Sequence, residues 1–221
     1  MVQTACTFVR DGGKRGRLDY LLSMPRRLAR GERPPLILFL HGAGERGDDL
    51  SMVKRHGVPK LAEEDPSFPF AVVSPQCPPG GLWHLYLKTL GALLDDIALR
   101  CAVDEDRIYL TGLSMGGYGT WHLAARYPDR FAAIAPVCGG GLESLGFPAK
   151  VRALRGVPVW AFHGALDPIV PVEETQRLVD ALRASGGDVR LTIYPDLGHD
   201  SWTRTYADPR LFEWMLAQRR R

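Results

Sequence analysis

Several residue types and patterns that mark secreted or metal-binding proteins are missing from this sequence. No asparagine occurs among its 221 residues, so there is no Asn-x-Ser/Thr acceptor for N-glycosylation. The cysteines are few and contain no Cys-x-x-Cys pair, so we expect free, mostly buried thiols rather than disulfides or thiolate metal ligands. They are Cys6, Cys77, Cys101 and Cys138. Neither a metal nor any other cofactor is predicted.

Patterns that direct a chain to a membrane are also missing. Residues Met1 to Cys6 lack the basic segment and the apolar run of a secretory signal. No apolar stretch is long enough to cross a bilayer. We therefore expect a cytoplasmic protein without a membrane span, although a mature chain from which a signal peptide had been cleaved would look the same.

Strong charge of either sign is absent. The formal net charge is only +3, and no basic stripe with interleaved aromatic residues is found. The terminal Arg219-Arg220-Arg221 is typical of a solvated tail. No nucleic-acid partner is predicted, and nothing in the sequence predicts an oligomeric state.

The chain does contain short apolar runs that are typical of strands buried on both faces. The predicted strands are Thr4–Val9, Leu18–Met24, Leu36–Leu40, Phe70–Ser74, Arg107–Thr111, Ala132–Val137, Val157–Phe162 and Val189–Tyr194. The turn residues Asp11-Gly12-Gly13 separate the first two, which predicts an antiparallel start to the sheet.

Segments of helical period lie between most of the later strands. The predicted helices are Leu85–Arg100, Gly117–Tyr127, Val172–Ala184 and Pro209–Gln218. Strands that alternate with helices predict an α/β fold with a mostly parallel sheet of about eight strands, covered by helices on both sides. We expect one domain over residues 1–221, without a large cap, because the irregular segment Gly139–Gly156 is too short to form one.

A serine between two glycines stands where a predicted strand meets a predicted helix, in Gly112-Leu113-Ser114-Met115-Gly116. This is the layout of a nucleophile elbow, whose sharp turn holds the serine in a strained conformation. The flanking glycines leave room for neighbouring backbone. Ser114 is the predicted nucleophile.

A serine nucleophile needs a base to accept its proton. Of the six histidines, His199 follows the last predicted strand and precedes the final helix, on the glycine-containing loop Leu197–Trp202. The positions of the others are less suitable, and these are His41, His56, His84, His122 and His163. His199 is the predicted base, and activity should fall on acidification because a protonated imidazole accepts no proton.

The base in turn needs a carboxylate that orients it. Asp167 follows the predicted strand Val157–Phe162 and gives the chain order Ser, Asp, His of an α/β-hydrolase. Its rivals, Asp196 and Asp200, lie so close to the base in sequence that a turn or capping role is expected of them. Asp167 is the predicted acid.

Two backbone N–H groups are needed to stabilise the oxyanion of a tetrahedral intermediate. One is assigned to Met115, the residue after the nucleophile. The other is assigned to Ala43 or Gly44, in the glycine-rich loop that follows Leu36–Leu40. This loop matches neither phosphate-binding glycine pattern.

The same loop carries the charged residues Glu45, Arg46 and Asp49. They lack the fixed spacing of a metal-binding cluster. We expect them to be solvated or salt-bridged, not to be metal ligands.

The run from Leu110 to Trp121 resembles bacterial serine esterases of the α/β-hydrolase superfamily, in the phospholipase/carboxylesterase and dienelactone-hydrolase-like groups. The resemblance extends to Phe39–Gly47, Pro75-Gln76, Ala161–Asp167 and Gly198–Trp202. It implies that Ser114, Asp167 and His199 are nucleophile, acid and base. Dienelactone hydrolases carry a cysteine nucleophile where this chain has serine, so the resemblance does not imply their reaction.

The predicted function is therefore a serine carboxylesterase that acts on a small-molecule ester without a cofactor. The aromatic residues Trp83, Trp202 and Tyr118 are candidate walls of the substrate pocket. Little sequence is left for a lid, and an open site favours short-chain or aryl esters. A peptidase of the same fold and a non-catalytic binding module of that fold are the alternatives.

Overall fold

A computed structural model describes residues 3–10, 15–26, 28 and 31–220. Within these residues eight strands form one sheet. They are β1 (Gln3–Val9), β2 (Arg17–Ser23), β3 (Leu36–Leu40), β4 (Ala71–Pro75), β5 (Ile108–Leu113), β6 (Ala133–Val137), β7 (Val159–Gly164) and β8 (Val189–Tyr194). The predicted turn at Asp11-Gly12-Gly13 lies outside the described residues.

The strand order is β1-β2-β4-β3-β5-β6-β7-β8. β1 pairs with β2 and β2 with β4 in antiparallel fashion, and every pairing from β4 onwards is parallel. The carboxyl ends of the parallel strands therefore meet at one edge of the sheet, where α/β proteins bind their ligands.

Helices cover both faces of the sheet. They are α1 (Gly57–Glu64), α2 (Leu87–Cys101), α3 (Met115–Arg126), α4 (Val172–Ala184), α5 (Trp202–Ala207) and α6 (Pro209–Leu216). One apolar core lies under α2, α3 and α4 and includes Leu94, Trp121 and Leu178. The other lies under α1, α5 and α6 and includes Val58 and Trp214.

The predicted fold class is confirmed: the sheet is mostly parallel, has eight strands and starts antiparallel. Leu36–Leu40, Val189–Tyr194 and Val172–Ala184 have the predicted bounds, and the other predicted elements shift by one or two residues at an end. The prediction missed α1 and α5. Both are short, and α1 carries Pro59 in its first turn, where proline is tolerated but hides the helical pattern.

The segment after β6 folds into two short 3-10 helices, Glu143–Leu145 and Ala149–Leu154. Phe147, which lies between them, is buried against His122 of α3, with 4.3 Å between the ring centroids. Leu142 of this segment lines a cavity together with Met115, the first residue of α3. In the portion of the chain that the structure describes, no helix is both long enough and apolar enough to span a bilayer.

Candidate active site

Ser114 occupies a sharp turn between β5 and α3. Its backbone angles are φ 53° and ψ −117°, a conformation that L residues rarely adopt. A Cβ at Gly112 would stand 2.6 Å from the carbonyl oxygen of Leu40, and a Cβ at Gly116 would overlap that same oxygen. The glycines are therefore required by the neighbouring strand β3, which holds the turn and presents the serine at the carboxyl edge of the sheet.

His199 reaches Ser114 from the loop after β8. Its Nε2 lies 2.9 Å from Oγ of Ser114. The loop packs directly on the end of β7, where a Cβ at Gly164 would overlap the carbonyl oxygen of Gly198. This contact brings two segments that are 85 residues apart in sequence into hydrogen-bond distance.

Asp167 lies on the loop after β7 and completes a chain of three side chains. Its Oδ2 is 2.7 Å from Nδ1 of His199, and its Oδ1 accepts the N–H groups of Ile169 and Val170, each at 2.9 Å. Burial alone would raise the pKa of Asp167, but the hydrogen bonds from His199, Val170 and Ile169 together hold that pKa below its ordinary value. Asp167 is therefore ionised at neutral pH.

The charge on Asp167 sets the tautomer of His199. An ionised carboxylate only accepts hydrogen bonds, so Nδ1 must donate to it. Nε2 of the neutral ring then has a free lone pair that faces the Ser114 hydroxyl. This arrangement can take a proton from the serine.

The candidate oxyanion donors lie on two adjacent backbone segments. Met115 is the first residue of α3, and Ala43 and Gly44 are the first two residues of a 3-10 helix, Ala43–Glu45, after β3. N–H groups in a first helical turn have no partner within the helix. A Cβ at Gly42 would touch Leu113, which places this helix beside the elbow. Ala43 and Gly44 both remain candidates for the second donor.

Two residues that directly follow β4, Gln76 and Cys77, fasten the loop that carries Ala43 and Gly44. Nε2 of the buried Gln76 donates to the carbonyl oxygens of Glu45 at 2.9 Å and Asp49 at 2.8 Å. Nε2 of His41 accepts the N–H of Cys77 at 2.9 Å. The role of Gln76 was not predicted from the sequence, and its position directly after a strand at the same edge was the available signal.

Of the two states expected for the charged residues of this loop, solvated or salt-bridged, the solvated one does not apply to Glu45. Its side chain is buried, with Oε1 3.8 Å from Nε2 of His56 and Oε2 4.0 Å from Nδ1 of His41. Among the described residues there is no group of three or more His, Cys, Asp or Glu side chains that could hold a metal ion. The four cysteines are free; Cys77 and Cys138 are buried, whereas Cys6 and Cys101 are only partly so.

Three other histidines are structural. Burial lowers the pKa of His41 and of His122 to about 4 and also lowers the pKa of His163, so all three rings are neutral. His163 hydrogen-bonds the carbonyl oxygen of Val170 and the hydroxyl of Thr175. None of the three forms a hydrogen bond with Ser114.

The candidate pocket residues lie on two sides of the site. Trp83 and Tyr118 line a cavity of about 250 Å³ together with Met115, Leu82 and Leu142, which we call the apolar cavity. Trp83 is otherwise a core residue, and its Nε1 donates to the carbonyl oxygen of His41 at 2.9 Å.

Trp202 lies on the other side of the site. It stands edge-on to the imidazole of His199, with 5.3 Å between the ring centroids. A larger cavity, of about 620 Å³, is lined by Pro35, Phe68 and Arg107. Pro35 and Arg107 directly precede β3 and β5, so this larger cavity lies at the opposite edge of the sheet from Ser114.

Residues 85–212 match a model of the phospholipase/carboxylesterase family. The whole structure is similar to that of a solved thermostable esterase. The TM-score is 0.81 and the sequence identity 36%, over 99% of this chain and 63% of that one. The likeness confirms the α/β-hydrolase fold.

Two curated relatives illustrate the range of similar proteins. A Salmonella typhimurium protein is 33% identical to this chain over 106 residues. That protein is named a carboxymethylenebutenolidase by inference. That match covers 46% of this chain and only 39% of the relative. Acyl-protein thioesterase 1 of Gibberella zeae is 25% identical over 198 residues, which cover 75% of this chain and 83% of the relative.

Proposed function

This chain belongs to the phospholipase/carboxylesterase family, and from that membership we propose that it hydrolyses carboxylic esters through an acyl-enzyme on Ser114. One observation carries the proposal. His199 lies 2.9 Å from the Ser114 hydroxyl through Nε2 and 2.7 Å from the Asp167 carboxylate through Nδ1. A binding module without catalysis has no need of this alignment or of the strained backbone at Ser114.

The first half of the proposed reaction forms the acyl-enzyme. Oγ of Ser114 attacks the acyl carbon while its proton passes to Nε2 of His199. The tetrahedral intermediate then collapses as the carbon–oxygen bond to the alcohol breaks. His199 donates its proton to the departing oxygen, and Asp167 stabilises the imidazolium in between.

The second half releases the acid. Water takes the place of the alcohol and gives a proton to Nε2 of His199 as it attacks the acyl carbon of the ester on Ser114. When the new intermediate collapses, His199 returns the proton to Oγ of Ser114. No cofactor takes part in this sequence.

In both halves the developing oxyanion is held by backbone N–H groups. We assign them to Met115 and to Ala43 or Gly44, in the loop fastened by Gln76. Removing a donor of this kind in a serine hydrolase costs on the order of 10²–10³ in kcat.

Short-chain or aryl esters suit the site best. The apolar cavity of about 250 Å³ beside Met115 is small, and the segment 139–156, which lines it through Leu142, forms only two short 3-10 helices. A peptidase of the same fold would need further structure to hold a peptide, and the residues that the structure describes contain no such layer.

The proposal is tested with a fluorophosphonate probe, which reacts with an activated serine. Wild-type protein should be labelled and should hydrolyse 4-nitrophenyl butyrate, and Ser114→Ala should do neither. Ser144→Ala, at an exposed position in a 3-10 helix, is the matched control and should behave as wild type. Folded wild-type protein that neither labels nor hydrolyses the ester would remove the proposal, and equal labelling of Ser114→Ala would remove Ser114 as the nucleophile.

A further inference from the structure

Two cavities of opposite character adjoin each other, and one of them is lined by Met115, the residue after Ser114. The first is the apolar cavity described above. The second, which we call the cationic cavity, measures about 370 Å³ and is lined by Arg10, Arg15, Lys88 and Arg126. His84 belongs to the walls of both.

Within the part of the chain that the structure describes, the positive charge of the cationic cavity is not neutralised by neighbouring side chains. Of the described residues that line it, none is an aspartate or a glutamate, and none of its four cations forms an ion pair within the described part of the chain. Nε of Arg10 is buried and has no hydrogen-bond partner among the described residues. Several arginines elsewhere do form ion pairs, as Arg204 does in its 2.7 Å pair with Asp196.

The backbone adds to the positive potential of this cavity. Its wall includes Leu87, Lys88 and Thr89, the first turn of the 15-residue helix α2. The N-terminal turn of a helix presents unpaired N–H groups and a partial positive charge. The Thr89 hydroxyl donates to the carbonyl oxygen of Arg15, which ties the end of the β1–β2 hairpin to this helix. The cations therefore converge from the hairpin, α2 and the end of α3.

The position of His199 decides which end of an ester faces these cavities. His199 must donate its proton to the departing alcohol, so the alcohol lies on the side of His199 and Trp202. The acyl group then points the other way, along Met115 into the apolar cavity. An acyl chain that continues past His84 reaches the cationic cavity.

We propose that this enzyme acts on esters whose acyl chain ends in an anionic group, such as the half esters of dicarboxylic acids. The apolar cavity takes the methylene chain, and the cationic cavity takes the terminal carboxylate. This inference rests on the proposed ester hydrolysis at Ser114 and adds the substrate class.

The experiment compares two substrates that differ only at the far end of the acyl chain. They are mono(4-nitrophenyl) adipate, which ends in a carboxylate, and 4-nitrophenyl hexanoate, which ends in a methyl group. The six-carbon chain limits self-hydrolysis of the half ester, because attack by its own carboxylate would have to close a seven-membered ring. The ratio of the two kcat/KM values is measured for wild type and for a triple variant, Arg15→Gln, Lys88→Gln and Arg126→Gln.

Wild type should hydrolyse the half ester with the higher kcat/KM. In the triple variant the ratio of the two kcat/KM values should be about tenfold smaller, while hydrolysis of the hexanoate stays as in wild type. The preference should also shrink at about 1 M salt, where the Debye length is about 3 Å. Lys60→Gln, an exposed lysine on α1 against the opposite face of the sheet, is the matched control and should keep the wild-type ratio.

The inference is overturned if wild type shows no preference for the half ester, or if the triple variant loses activity equally on both substrates. In either case hydrolysis of the hexanoate and labelling of Ser114 would leave the proposed function standing. If wild type hydrolyses neither substrate and is not labelled, both the inference and the proposed function fall.

Discussion

Oδ2 of Asp167, the oxygen that faces His199, also lies 3.2 Å from Nε2 of the buried His163. Because burial keeps His163 neutral and its Nε2 is 2.9 Å from the carbonyl oxygen of Val170, this nitrogen carries the proton and donates to Val170. His163 thus supports both the carboxylate and the loop that holds it.

We predict that His163→Leu loses about 1–3 kcal/mol in the free energy of unfolding, because it leaves the carbonyl oxygen of Val170 without a donor. The kcat for ester hydrolysis should fall as well, since Asp167 is held less firmly. Urea unfolding and steady-state kinetics measure the two effects. His163→Gln, whose amide nitrogen can occupy the place of Nε2, should recover much of both; no recovery would argue against this hydrogen bond as the cause.

Asp167→Asn should lower kcat/KM by about 10³–10⁴-fold at neutral pH, as the equivalent change does in other Ser-His-Asp hydrolases. An amide can donate to Nδ1 of His199, which leaves the proton on Nε2 and removes the acceptor for the Ser114 hydroxyl. Hydrolysis of 4-nitrophenyl butyrate measures the loss. Asp196→Asn is a suitable control, because that carboxylate pairs with Arg204 and not with His199. A loss below tenfold in Asp167→Asn would contradict the assigned role.

The buried His122 should make the protein less stable in mild acid. Burial, with smaller contributions from His84 and Lys150, lowers its pKa to about 4, whereas an unfolded histidine has a pKa of about 6.5. Between these values the unfolded state binds more protons, so stability falls as the pH falls through this window.

His122→Gln cannot take up this proton but can still accept the N–H of Leu142. Between pH 7 and about pH 4.5 we expect wild type to lose on the order of 2 kcal/mol more unfolding free energy than the variant does. Urea titrations at the two pH values measure the difference. Parallel losses in the two proteins would mean that His122 is not titrating as described.

Gln76→Leu should lower kcat about 10-fold to 100-fold while KM changes little, because the loop with Ala43 and Gly44 loses both hydrogen bonds from Nε2. Affinity for a phosphonate transition-state analogue should fall in parallel with kcat/KM, which a general loss of stability would not cause. Gln218→Leu, which removes a bond to Trp214 at the far end of the chain, is the control. A rise in KM at constant kcat would count against this role of Gln76.

Gly116→Ala should cost more than about 3 kcal/mol or prevent folding, because its Cβ would overlap the carbonyl oxygen of Leu40 in β3. Gly156→Ala is the matched control: a Cβ there has no atom within 4 Å, and the effect should stay within about 0.5 kcal/mol. Chemical denaturation or thermal unfolding separates the two. A stable Gly116→Ala protein would show that β3 can retreat from the elbow.

The parts of the candidate site that follow a local sequence pattern could be predicted. Ser114, Asp167 and His199 each follow a short apolar run, and parallel strands place their carboxyl ends at one edge, so their proximity could be expected. The contacts of Gln76 and Glu45 could not, because they depend on β4 and β3 being neighbours in the sheet. The strand order is set by packing over the whole chain and cannot be deduced from the residues next to Gln76 or Glu45.

The short helices were the harder part of the fold to predict. Six residues suffice for α5, because Tyr206 packs against Phe39 of β3 and Thr205 bonds the carbonyl oxygen of Ser201. Such a helix forms through tertiary contacts, which periodicity in the sequence does not record.

The sheet order places β6 between β5 and β7, yet β6 and the segment after it supply none of the three side chains at the elbow. That segment, residues 139–156, reaches the apolar cavity through Leu142. An engineer could therefore lengthen or exchange residues 142–154 as a graft, with Gly139 kept because its carbonyl oxygen accepts the Thr175 hydroxyl. The graft would change which acyl groups reach the serine and leave the proton-transfer groups where they are.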